Sequence, residues 1–268
     1  HDGPPLSFGL LADCDQLPIL KITQSGYFLQ LGGKDLTGCI LKDMRNCTLD
    51  GATLSGIATL VEADFTSASL KKAVLSGLDL SHALTWKQAD FTGTNLCPTT
   101  SAAGAHLEGA IFNAATLGPV SYAGAHLAAA KFTVAGGIPA NLTGTIFTGA
   151  DLTGADFTGA TLAGTDFRGA ILHGTMFDGC DLTHALFDDE PNFTRAATGR
   201  TTFHAAVVPF SILGTNWTYL DFTLATITGL PDAIPKLVAD QALLPDDFDL
   251  RNKDFTCAGG SGASFRGT

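Results

Sequence analysis

His106 and His126 stand in the same context, Gly-Ala-His-Leu, 20 residues apart. On neighbouring rungs of a stacked structure their rings would lie ~4.8 Å apart and could offer two nitrogen ligands to one cation. Structural zinc takes four ligands and catalytic zinc three plus water. A further 20 residues along the same column stands Ile146, so no third ligand is expected in line. The pair is read as two exposed surface histidines, and no metal and no cofactor are expected. Asp151 and Asp156 are paired carboxylates, but on adjacent sides of one coil they would face away from each other. The sequence contains no G-x-S-x-G, H-E-x-x-H, P-loop or Cys-x-x-Cys pattern. No catalytic residue, and no enzyme, is expected.

What must position these groups is a repeat five residues long. From 145 to 187 every fifth residue is Leu or Phe: Phe147, Leu152, Phe157, Leu162, Phe167, Leu172, Phe177, Leu182 and Phe187. Two residues before each stands something small, from Thr145 and Ala150 to Cys180 and Ala185. Neither a helical nor a strand period produces this pattern. One large and one small apolar residue per unit suits a coil with four short sides, both residues pointing inward. One such side buries too little to stand alone, so coils must stack to share a core.

The pattern resembles the pentapeptide-repeat family, with consensus Ala-Asp/Asn-Leu/Phe-x-x, over about residues 36–98, 102–228 and 248–268. The resemblance implies an all-β fold, a right-handed quadrilateral β-helix with four pentapeptides per coil. Within it the sequence suggests an N-terminal cap over 1–33, with a hairpin formed by Ile19–Ile22 and Tyr27–Gln30. The β-helix then covers 34–228. A short helical insertion over 229–247 follows, between Pro231 and Pro245. A final uncapped repeat coil occupies 248–268.

The large residues also predict a register. Steps of six at Leu54 to Leu60 and Leu80 to Trp86 are expected to stack as bulges at one corner of successive coils. A slip is expected at Cys97–Ser101, an unbroken register from Leu107 to Phe187, and a second slip at Asp188–Pro191. Cys39, Cys47 and Cys180 take the small inward position, where a thiol packs as a compact hydrophobe. Cys14, Cys97 and Cys257 fall off that position and could pair in an oxidising compartment.

The chain has 268 residues, with 15 Lys and Arg against 26 Asp and Glu, a net charge of −11. Direct nucleic-acid binding needs a basic footprint and is not expected. No apolar run is long enough to span a membrane. Residues 92–150 contain only Glu108 and Lys131 as charged groups, whereas 151–254 hold 15 acids and six bases. A neutral belt of small residues suits close packing against another copy.

The expected function is therefore a structural or interaction rod that self-associates end to end or side by side, with another protein as the second kind of partner. End-to-end assembly would use the open final coil, through Phe255, Phe265 and Arg266. The family resemblance implies an alternative, a topoisomerase-binding protein that mimics a DNA duplex and confers quinolone resistance. The neutral belt would interrupt that charge pattern. A spacer or adhesion module of a larger secreted protein is a third reading. The low lysine content and even cysteine number favour an extracellular or cell-surface location, and the topoisomerase alternative a cytoplasmic one.

Overall fold

A computed structural model describes residues 31–33, 35–37, 39, 41, 43–54, 60–96, 101–188, 191, 193, 201–213, 220–229, 242 and 244. The suggested hairpin at 19–30, the helical insertion at 229–247 except Gly229, Ala242 and Leu244, and the final coil with Phe255, Phe265 and Arg266 lie outside these residues. So do Cys14, Cys97 and Cys257.

The five-residue unit has a local cause. Each unit is a bridge residue, a large inward residue, two turn residues and a small inward residue. The second turn residue has positive φ, a region most side chains avoid, so it is usually glycine: Gly149, Gly154 and Gly159 have φ of 68°, 66° and 69°. The small residue then closes the corner, as the Ala150 N–H donates to Phe147 O at 2.9 Å and the Ala155 N–H to Leu152 O at 2.9 Å. Aspartate at the bridge position clips the same turn from outside. Asp64, Asp151 and Asp156 each accept the N–H two residues on through Oδ1, at 2.9, 3.0 and 2.9 Å.

Stacked units form a repeat β-helix with four ladders of parallel bridges. A histidine ladder runs through Asp43, Asp64 and Thr85, then His106, His126, Asp151 and Ile171. A phenylalanine ladder runs through Thr48, Ser69, Asp90, Ile111, Lys131, Asp156, Met176, Thr202 and Asp221. A third ladder, neutral from Thr53 to Thr161 and called the neutral ladder, joins Asp35, Thr53, Val74, Asn95, Thr116, Asn141 and Thr161, and a fourth joins Asp79, Ser101, Ser121, Ile146, Asp166 and Leu186. Further along, β1 (Val207–Pro209) pairs in parallel with β2 (Thr226–Thr228). No helix among the described residues is long and apolar enough to cross a membrane.

Two register expectations are corrected. The extra residues do not stack at one corner. The step from Leu54 to Leu60 turns from the neutral to the fourth ladder, whereas that from Leu80 to Trp86 turns from the fourth to the histidine ladder. There Leu80–His82 winds into one 3-10 turn, and the Trp86 indole N–H donates to Leu80 O at 2.8 Å. Nor is 107–187 unbroken. Thr116 pairs with Asn141 and Lys131 with Asp156, a step of 25 rather than 20. The surplus is a hairpin between Phe132 and Leu142. Ala135 and Ile138 exchange both backbone hydrogen bonds, at 2.9 and 3.0 Å, across Gly136 and Gly137 with φ of 60° and 79°. Two consecutive positive-φ residues suit a tight two-residue hairpin. Because the insertion is one whole unit long, the five-residue phase is the same on both sides of it.

The core follows from the ladders. Phe147, Leu152, Phe157, Leu162, Phe167, Leu172, Phe177 and Leu182 are all buried, at 0–1% exposure. Behind the phenylalanine ladder, Phe91, Phe112, Phe132, Phe157, Phe177, Phe203 and Phe222 stack ring on ring, with centroids 4.8–5.5 Å apart. Tyr122, Phe147, Phe167 and Phe187 stack behind the fourth ladder at 5.0–5.5 Å. The two columns meet edge to face, as between Phe157 and Phe167 at 5.6 Å and 85°. This geometry sets the ring quadrupoles favourably.

Small inward polar groups are satisfied by carbonyls one coil back. Thr165 and Thr175 donate to Leu142 O and Leu152 O at 2.9 and 3.1 Å. The Cys180 thiol, pushed up to about 12 by burial, donates to Phe157 O at 3.0 Å. Cys47 and Cys180 are thiols. Cys39 is disulfide-bonded, which corrects its reading as a plain core thiol: a buried sulfur at the small position can be bonded without leaving it.

Phe157→Ala should cost about 3–5 kcal/mol, since neighbouring rungs are held apart by their own ladder bonds and cannot fill the cavity. Thr158→Ala, on the outer face of the same unit, should stay within about 0.5 kcal/mol. Thermal melts of the two variants check the contrast.

Candidate functional site

Only outward-facing residues are available to a partner, and the ladders decide which of them meet. In the belt, the histidine ladder brings His106 and His126 together. Their rings stack with centroids 4.5 Å apart and planes within 7°. The next rung is Asp151, paired with His126, and not Ile146. The five-residue hairpin moved every column beyond it by one side of the coil.

Counting along the column also missed Glu108, which stands two residues after His106 and turns into the same patch. Its Oε1 lies 3.6 Å from His106 Nδ1 and 3.3 Å from Lys87 Nζ. Its Oε2 is buried with no hydrogen-bond partner. Burial opposes ionisation of this carboxyl, but its own backbone N–H, Lys87 and His106 outweigh it and hold the group below the usual glutamate value. One ligand atom from each of His106, Glu108 and His126 falls within 4.8 Å of the others. The signal in the sequence was the spacing His-x-Glu, which places both side chains on the outside of one unit.

A second feature is a lack of charge. From Thr53 to Thr161, no unit of the neutral ladder carries an ionised side chain among the described residues. Its turns are Ser76-Gly77, Gly118-Pro119, Thr143-Gly144 and Ala163-Gly164. The backbone is closely approached here: a Cβ on Gly118 would sit 1.7 Å from Thr143 O, so only glycine fits. At the corner with the phenylalanine ladder stands the hairpin, with Val134 and Ile138 exposed at 45% and 61%.

Several aspartates elsewhere are engaged within their own units. Asp166 receives both Arg168 nitrogens, Nε at 2.9 Å and Nη2 at 2.6 Å, and Asp43 receives Arg45 likewise at 2.8 and 2.6 Å. These side-chain bonds hold both carboxyls below the usual aspartate range. Asp35 and Asp181 are lowered mainly by Thr37 and Thr183.

The family model for pentapeptide repeats (8 copies) matches residues 58–84, 140–174 and 150–189. Among solved structures, the fold is similar to that of a trypsin-treated form of QnrB1, a plasmid-mediated fluoroquinolone resistance protein. The identity is 19% over 75% of this chain and 91% of that one, at a TM-score of 0.51. It is also similar to HetL, a pentapeptide repeat protein involved in heterocyst differentiation regulation from the cyanobacterium Nostoc sp. That match has 21% identity, covers 82% and 88% of the two chains, and has a TM-score of 0.31. No curated protein matches the sequence.

Because the folded values of these four aspartates are depressed, they contribute stability above the unfolded aspartate value of about 3.9. That contribution is lost as pH falls through their folded values. Melting temperature should therefore drop between about pH 4 and pH 2, and less steeply in Asp166→Asn. Circular dichroism melts across that range measure both slopes.

Proposed function

This chain is a pentapeptide-repeat protein, and from that premise we propose that it is a non-enzymatic interaction rod, a right-handed four-sided β-helix that meets a second copy side by side. The observation that carries this reading is the uncharged neutral ladder flanked by the apolar hairpin. Small side chains on regular rungs make a flat strip, and two copies share one rung spacing, so their strips can pack in phase without burying a charge. Six rungs span about 24 Å at ~4.8 Å each. A side of about three extended residues is roughly 10 Å wide at ~3.3 Å each, so the strip offers roughly 240 Å², well under the ~800 Å² per partner of a stable complex. Association is accordingly weak and depends on the hairpin, whose Val134 and Ile138 supply the apolar anchors. End-to-end growth through Phe255, Phe265 and Arg266 draws no support from the described residues.

The net charge of −11 favours one other reading, binding to a topoisomerase. A fluoroquinolone-resistance protein shares the fold. Against that reading stand the uncharged strip and the aspartates committed to their own turns. The disulfide at Cys39 supports an oxidising, extracellular compartment.

Deleting residues 135–139 together with Val134→Gly returns the long coil to 20 residues and joins two regular units. The variant should melt like the parent but lose concentration-dependent association in sedimentation velocity. A parent chain that is monomeric at every concentration refutes side-by-side pairing. Inhibition of gyrase supercoiling by that monomer would then establish the topoisomerase reading.

A further inference from the structure

We propose that His106, Glu108 and His126 form a binding site for a divalent transition-metal ion, with zinc as the reference ion. Two imidazoles and a carboxylate are three protein ligands that leave a position open to water. Imidazole suits zinc, copper and nickel, and one carboxylate beside two imidazoles does not suit calcium or magnesium, which want several oxygens.

The distances are within reach. Ligand atoms on one zinc lie about 3.3 Å apart, given bonds of about 2.0–2.1 Å in a tetrahedron. The three groups already fall within 4.8 Å of one another. Because the stacked rings are within 7° of parallel, their in-plane lone pairs do not converge. The rings must splay by rotation about their side-chain bonds, and both histidines are exposed. The backbone does not have to move, since the bridge between His106 and His126 holds the two on adjacent rungs.

Glu108 supplies the independent observation. Its Oε2 is buried and accepts no hydrogen bond, a costly condition for a carboxylate oxygen that a bound cation relieves. Oε1 is held by Lys87 at 3.3 Å, so Lys87 stands where the metal's charge would act and competes with it. Asp151, the next rung, adds negative charge on the far side of His126, although its Oδ1 is engaged by the Thr153 N–H at 3.0 Å. Elsewhere the bridge-position aspartates clip their own turns. Glu108 occupies a turn position instead, which leaves its second oxygen uncommitted. The site lies on the histidine ladder and not on the neutral strip, so it stands or falls apart from the pairing of two copies.

The test is calorimetric titration of the chelator-stripped full chain with zinc chloride. The expected result is one high-affinity equivalent. His126→Ala and Glu108→Gln should each weaken binding at least about tenfold, a loss of 1.4 kcal/mol or more. Lys87→Ala should tighten it, because the competing ammonium is gone. His184→Ala, outside the cluster, should leave it unchanged. No stoichiometric binding by the parent, or binding that survives both His126→Ala and Glu108→Gln, overturns the proposal. Weaker binding in Lys87→Ala also counts against it.

Discussion

Each coil is tied to the next by backbone hydrogen bonds that run both ways along a ladder. The Phe147 N–H donates forward to Asp166 O at 2.7 Å, and the Asp166 N–H donates back to Thr145 O at 2.9 Å. This exchange sets the rung spacing, and almost every other feature is a response to it. Inward residues 20 or so positions apart must stack, so large ones become columns and rings in a column lie face to face. Small ones must be small because the corner brings the backbone close. Where they are polar, the carbonyl one coil back is the acceptor within reach. Outward residues inherit the same spacing, which is why two histidines from separate repeats become a pair.

The negative charge of the chain takes on a different meaning in this frame. Aspartate recurs because its carboxylate satisfies the N–H two residues on, at Asp64, Asp90, Asp151, Asp156, Asp181 and Asp221 alike. Turn chemistry therefore contributes to the acidic total, which by itself is weak grounds for inferring a cationic or DNA-binding partner. The local departures say more: a strip with no charge, and a glutamate at a position where the turn has no use for it.

The period of five, the family and the β-helical class were legible in the sequence, since each unit repeats its own local logic and needs no distant information. What the pattern could not carry was the count of units per coil. Gly137 sits where a large inward residue is due, and Val134 and Pro139 stand where the turn glycine recurs, and these mismatches mark the hairpin. Passing over them turned the column beyond His126 toward Ile146 instead of Asp151. The two six-residue steps were placed on one corner although Leu80 lies one coil after Leu60, not after Leu54. Glu108 is not legible from the column of bridge residues, because the cluster also draws on the turn beside the ladder. The bond at Cys39 leaves no periodic trace, because a cysteine suits the small position whether or not its sulfur is paired.

The hairpin at 134–139 leaves the rod and returns to it at one corner, one whole unit out of step. The rungs on either side therefore register as though nothing had been inserted. Its length is consequently uncoupled from the stability of the rod, which makes it the place where such a chain can change its partner without renegotiating its fold. A foreign peptide spliced between Gly136 and Gly137 would be displayed at a fixed height along a stiff axis, like a tab on a ruler.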